Sequence, residues 1–562
     1  MSIVKIIPLG GVREEGKNLY VVEVNESIFV LDCGLAYPQD EMLGIDSVIP
    51  DFTYLEENSD RVVGIFLTHG HDDAVGGLPY LLETINAPVF GTELTMELMT
   101  LVAKRQGLDK HLDQFFTIDE STEIEFEDAT VSFFKTTHTI PDSIGIVIGT
   151  DQGNIVYTGH FKFDPSVSEA YATDYRRLAE ISEEGVLALL SDSNDAELPV
   201  ENEPEKRIVE EMTDIFLDAS GRVIVTCIGS NIARIQQVLD SAYASGRKVF
   251  FTGKGLYEIV DIAIKLDKIS IPSKNVIGQI KNINQFDDDK VVILEAAGPG
   301  EPIRSVERMA TKRHPQVQIK EGDLVYLATT PSVAMETTIA KIKDSIYRSK
   351  GRVKSITDNF KTSGHASQKD LLTMINILKP KYIIPIDGEM RMLKAHKKLA
   401  RDLGYANTQV FLPDTGEVIE YRNHKMRVTG EVPSGDVLID GIGVGDIGNV
   451  VLRDRRILSE DGIFIVVATI SRRLKKVLVG PQITSRGFVY MKASIDLIST
   501  CSDMTLDVLE EHLESNNFDW GELKSDLREK IGKYLFKETK RRPVILPIIM
   551  EASSYRLPDE NK

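Results

Sequence analysis

Hydrophobic positions along the first 200 residues fall in short runs separated by loops: SIVKIIPLGG, NLYVVEVNESIFVLDCG, VVGIFLTHG, APVFG, TVSFFKTTH, GIVIGTDQGNIVYTGH and GVLALLSDSN. Many are apolar at consecutive rather than alternating positions, which predicts strands covered on both faces, as in a sheet with helices on each side. Every notable polar cluster lies where one of these strands stops. From about residue 203 strand and helix patterns alternate, from KRIVEEMTDIFLDASG and RVIVTCIGS onward, which predicts a mostly parallel α/β unit. Ligand sites in such units lie at the carboxyl ends of strands. After about residue 360 the runs KYIIPIDGE and TQVFLPDTGEVIEY resume the first style, and TGEVPSGDVLIDGIGVGDIGN, rich in Gly and turn residues, reads as a linker. From about residue 463 the strands IFIVVATI, KVLVGPQIT and GFVYMK, two amphipathic acidic helices and RPVILPIIME suggest a small α+β domain. The last strand is long and apolar, so it must be paired in its own sheet or used at a subunit interface.

A chain of 562 residues is too long for one hydrophobic core, so two to four domains are expected. The amino-terminal MSIVKIIPLGG has no apolar signal region, and no apolar run approaches the roughly 18 residues of a membrane span, so a cytoplasmic protein with no membrane association is expected. Cys33, Cys227 and Cys501 are widely spaced without a CxxC pair, which argues against a disulfide framework and against thiolate zinc. The net charge of −21 opposes nucleic acid on average. Residues 303 to 361, however, hold twelve Lys or Arg against six acids, a local excess of +6 that can attract phosphates.

The candidate chemistry sits in FLTHGHDDAVGG, where His69, His71 and Asp73 follow a strand at metal-ligand spacing. Neutral imidazoles and a carboxylate on one such loop can converge on a divalent ion. His138, His160 and Asp387 each follow a strand as well, after TVSFFKTTH, NIVYTGH and YIIPID.

These clusters, with PLGGVREEGKNLYVVEV, EMLGIDSVIPDFTYL, THTIPDSIG, TGHFKFDPS, LLSDSNDAE, SNIARIQQV, SGHASQKDL, GVGDIGNVVLRDR and SRGFVYMK, resemble the metallo-β-lactamase fold of the β-CASP nucleases, and more closely the ribonuclease J family. The resemblance implies an αββα sandwich over 1–202 and 361–442, an inserted β-CASP α/β domain over 203–360, a linker over 443–462 and a carboxyl-terminal association domain over 463–562. It further implies a two-metal phosphodiester hydrolase with RNA threaded between the first two domains. Carried over, the first metal takes His69, His71, His138 and His160, and the second takes Asp73, Ala74, His160 and Asp387.

Three positions depart from that pattern: Ala74 replaces a histidine, His160 the shared aspartate and Asp387 a late histidine. Two ions roughly 3.5–4 Å apart rely on anionic ligands between them, and an imidazole cannot bridge as a carboxylate does. A closed four-histidine cluster at His69, His71, His138 and His160 is therefore expected to hold zero or one ion, Zn²⁺ or Mn²⁺. Asp73 and Asp387 would hold Mg²⁺ or Mn²⁺ weakly, and Asp73 with His365 would carry residual catalysis.

Ser230, Asn231, His365, Ala366 and Ser367 match the family's pocket for an RNA 5′-monophosphate. Amides at a helix start and hydroxyl donors suit such a group. Lys361 stands where the family begins its HxSGH motif with histidine, and Asp192 matches an acidic residue expected to orient His365 or a metal histidine. The resemblance thus implies a degenerate member acting in mRNA decay and RNA maturation, binding RNA and forming homodimers and hetero-oligomers with an active paralogue. The alternative is a weak metal-dependent 5′ to 3′ exonuclease or endonuclease on 5′-monophosphorylated RNA.

Overall fold

The computed structural model describes residues 2–552 apart from 40, 108, 200–201, 298–300, 331–334, 442, 491–493 and 516. The end of the SRGFVYMK signature and residues 553–562 of the association domain lie outside the described residues. The chain divides into two compact units, Met1–Tyr37 with Val48–Val437, and Pro38–Ser47 with Leu438–Lys562.

In the first unit two sheets form a sandwich. One has eight strands, in the order Lys425–Glu431, Glu417–Arg422, Val4–Pro8, Tyr20–Val24, Ser27–Leu31, Val62–Phe66, Val89–Gly91 and Phe115–Thr117. The other has six, in the order Tyr382–Ile386, Val186–Asp192, Gly153–Tyr157, Ile144–Thr150, Thr130–Lys135 and Glu123–Glu125. Tyr20, Val22, Phe29 and Phe66 from the first pack with Phe133, Ile146, Ile155 and Leu190 from the second. Strands such as Tyr20–Val24 and Val186–Asp192 are buried throughout. The unbroken apolar runs thus arise because one cover is the facing sheet, whereas helices on both sides were expected.

Residues 205–355 build a third, six-stranded sheet in which every pairing is parallel, as the alternating pattern predicts. The helices Glu205–Asp218, Ile232–Ala244 and Lys254–Lys265 contribute to the core on one face, and Glu301–Ala310 and Glu336–Arg348 to the core on the other. Some of these basic residues are paired with acids here: Lys320 with Asp288, Lys350 with Glu321 and Arg348 with Asp344.

In the second unit the strands Lys476–Arg486, Ile463–Ser471 and Val544–Glu551 form one sheet, covered on one face by the helices Ile495–Glu514 and Trp520–Thr539. Its last strand pairs with Ile463–Ser471 and stands at an edge. Because helices cover one face only, Leu546, Ile548, Met550 and Val479 remain exposed. One local expectation fails: residues 487–490 of GFVYMK form no strand. The 443–462 stretch expected as a linker contains the helix Asn449–Glu460, which has no buried residue. The run VVLRDRRILSE has helical periodicity that the flanking glycines masked. Among the described residues no helix is long and apolar enough to cross a membrane.

Candidate metal centre

Topology brings the candidate residues to one rim. Gly153–Tyr157, Val186–Asp192 and Tyr382–Ile386 run parallel, so His160, Asp192 and Asp387 emerge side by side from their carboxyl ends. Ser27–Leu31 and Val62–Phe66 are parallel too, which sets Asp32 beside the loop that begins at Thr68. That loop is pressed against Gly34, where a Cβ would meet the Asp73 carbonyl at 1.6 Å, so only glycine fits.

The three histidines His69, His71 and His138 form one ligand set. Each points one nitrogen inward and has an oxygen for the other. His69 Nδ1 donates to Thr68 Oγ1 at 2.8 Å, and Thr68 in turn donates to Asp32 at 2.8 Å. His71 Nε2 donates to the Ser230 carbonyl at 3.3 Å, and His138 Nδ1 to the Gly364 carbonyl at 2.8 Å. The inward nitrogens of His71 and His138 lie 3.0 Å apart, and His69 Nε2 is buried without a hydrogen-bond partner. Such oriented, outer-bonded imidazoles are what a zinc-like ion requires, so this donor set fits one. Burial first, then neighbouring histidines, hold His69 and His138 well below the usual imidazole range, and burial lowers His71. They can therefore bind a cation without first losing a proton.

His160 does not complete that set. Its Nδ1 lies 3.5 Å from Asp73 and its Nε2 3.0 Å from Asp387. Its ring lies as close to His69 as those of His71 and His138 do, 4.8 Å between centres, while its nitrogens face the two carboxylates. Burial opposes a charge on His160, but Asp73 and Asp387 outweigh it and hold the imidazole at about 10. Against burial, His160 and then His365 keep Asp387 below the usual carboxylate range. His365 Nδ1 lies 2.9 Å from Asp192 and 3.7 Å from Asp387. Burial opposes a charge on His365, but Asp192, by charge and hydrogen bond, together with Asp387 holds it up at about 9. Carboxylates and imidazoles therefore alternate along Asp73, His160, Asp387, His365 and Asp192. Ala74 is fully buried and offers no ligand atom. Two further triads, His69, Asp73 and His160, and His160, His365 and Asp387, have ligand atoms within 4.8 Å of one another. Both depend on the one shared ring, so they cannot be filled independently of each other; His160 Nδ1, Asp73 Oδ1 and both Asp387 carboxylate oxygens are, like His69 Nε2, buried without a hydrogen-bond partner.

The phosphate candidates divide. Asn231 caps the helix Ile232–Ala244 by accepting from Arg234 N, as a helix start requires. Ser367 donates its hydroxyl to Asp370 at 2.8 Å in a capping box, and its backbone N–H goes to the same carboxylate. Both of its donors are thus engaged within its own helix start. Ala366 is buried, and Lys361 lies 3.4 Å from Asp195. Sequence reasoning missed Asp32, whose carboxyl burial pushes up to about 7 against bonds from Tyr157 and Thr68. The DCG run directly after an apolar strand was its only signal. It also missed the Ser230 and Gly364 carbonyls, which no side-chain motif could reveal.

The chain matches the families Metallo-beta-lactamase superfamily over residues 12–194, Ribonuclease J, beta-CASP domain over 220–346, Zn-dependent metallo-hydrolase RNA specificity domain over 350–413 and Ribonuclease J C-terminal domain over 450–552. It is 50% identical to a protein named Ribonuclease J 2 from Streptococcus pyogenes serotype M3, over 98% of this chain and 100% of that one. It is 45% identical to a protein of the same name from Staphylococcus aureus, over 98% of each. A solved protein of unknown function from Enterococcus faecalis V583, with a TM-score of 0.53 at 14% identity and covering 75% of this chain and 100% of its own, shares the fold alone. From its metal-binding rim to its carboxyl-terminal sheet, the chain belongs to the ribonuclease J family.

Proposed function

We propose that this chain is the RNA-binding, complex-forming member of a ribonuclease J system in the cytoplasm, with hydrolysis of its own greatly reduced. The observation that carries the reading is the aim of His160, whose two nitrogens face Asp73 and Asp387 where the family pattern calls for a bridged second ion. One ion, Zn²⁺ rather than Mn²⁺ or Mg²⁺, suits the all-nitrogen donors of His69, His71 and His138. When bound, such an ion supplies Lewis-acid polarisation of a phosphoryl oxygen. The protein's own groups add little of the rest: His365 Nδ1 is taken up by Asp192 and Asp387, and Asp73 is the one carboxylate left beside the three histidines.

RNA is engaged through a 5′-monophosphate at Ser230, Asn231 and the SGHAS loop, with His365 as its cationic contact. Ser367 and Ala366 shape that loop instead of donating. Purified protein incubated with 5′-monophosphorylated RNA and Mn²⁺ tests the reading beside Asp73→Ala. Equal residual cleavage in both supports the binding role; cleavage lost only in the variant supports the weak-exonuclease alternative.

Association uses the second unit. Its exposed apolar sheet face, with Leu546, Ile548 and Met550, suits burial against a second copy or an active paralogue. Deleting residues 463–562 should leave monomer; an unchanged mass by light scattering would remove this part of the reading.

A further inference from the structure

Two of the three ligand histidines hold, by their outer nitrogens, the loops to which the 5′-phosphate is assigned. His71 Nε2 contacts the carbonyl of Ser230, just ahead of the helix Ile232–Ala244, and His138 Nδ1 contacts the carbonyl of Gly364, in the SGHAS loop. Their inner nitrogens face each other at 3.0 Å. A carbonyl only accepts hydrogen bonds, so both outer nitrogens must carry the ring proton for both contacts to exist. A neutral imidazole has one N–H, which leaves two bare lone pairs pointed at one another.

An ion answers both lone pairs at once. Without it the two lone pairs repel across 3.0 Å, and relieving that repulsion by turning a ring or shifting its proton weakens the contact between that ring and its loop. The coupling is tight at Gly364, where a Cβ would lie 2.5 Å from His138 Cε1, so ring and loop cannot shift independently.

We infer that the ion held by His69, His71 and His138 acts as a binding switch: loading it fixes the Ser230 and Gly364 loops and tightens the grip on 5′-monophosphorylated RNA. This rests on the phosphate role proposed above for those loops. It gives the three-histidine site a use that requires no hydrolysis. Linkage makes the effect reciprocal, so such RNA must tighten zinc by the same factor.

The test uses the full chain, stripped with a chelator or reloaded with Zn²⁺, and two RNAs of one sequence bearing a 5′-monophosphate or a 5′-hydroxyl. In fluorescence anisotropy zinc should tighten the 5′-monophosphorylated RNA roughly five- to tenfold and leave the 5′-hydroxyl RNA unchanged. Competition with a chromophoric chelator should show the phosphorylated RNA tightening zinc equally. His69→Ala removes a ligand whose outer nitrogen bonds Thr68 and neither loop, so its RNA affinity should no longer respond to zinc. If zinc binds and neither RNA responds, or if His69→Ala keeps the full response, the switch is wrong while RNA binding stands. If neither RNA binds in either state, the RNA reading fails and takes the switch with it.

Discussion

The two halves of the rim use the same residue types to opposite ends. Around His69, His71 and His138, each imidazole is oriented from outside by an oxygen, and its inner nitrogen is left for a cation. Around His160 and Asp387 the ring is aimed at carboxylates on both sides, so the protein answers its own charges. The difference teaches that ligand inventory is a poor guide to a metal site. In the reading proposed above, histidine and aspartate stand exchanged at positions 160 and 387, and that pair meets at 3.0 Å. On that reading what differs is the group placed to bridge, and two ions held close together rely on anionic ligands between them.

The comparison breaks most sharply if the second half can be rebuilt. Ala74→His, His160→Asp and Asp387→His together should give two ions per chain by mass spectrometry. Cleavage of 5′-monophosphorylated RNA should rise at least about 10³-fold, a small part of what hydrolases supply. A triple variant that loads two ions yet stays inert would move the cause of reduced activity away from the metals. Next in size, His138→Ala should weaken zinc by more than about 100-fold in chelator competition, while Asp387→Ala changes it by less than about threefold. Similar losses in both variants would mean that the halves are one site.

Much of this was legible in the sequence. The ligand candidates were found because each follows an apolar strand, and their convergence follows from parallel pairing of the strands that precede His160 and Asp387. What the chain alone could not give is direction. The choice between a fourth zinc ligand and an ion-pair partner for His160 turns on where two ring nitrogens point, and the carboxylates they face come from two separate loops. Ser367 is ambiguous for a similar reason: serine before QKD suits both a phosphate donor and a helix cap, and here its hydroxyl goes to Asp370. Asp32 was overlooked because it acts through Thr68. Thr68→Val removes that relay without touching a ligand and should weaken zinc roughly tenfold.

The smallest effect separates the halves by pH. His160 is held at about 10 in the fold, above the 6.5 of a free imidazole. A raised imidazole contributes stability that is fully present below its unfolded value and is lost as pH rises through its folded value. In chelator-treated protein the melting temperature should therefore fall between about pH 7 and pH 10 more steeply than in His160→Gln, by about a few degrees for a chain of this size. The lowered histidines contribute in the opposite sense, since their neutral forms are favoured by folding and that benefit is already complete above pH 7. They cannot mimic the alkaline loss. Equal slopes in the two proteins would mean that His160 is neutral between its carboxylates, and the second half would then be open to a cation after all.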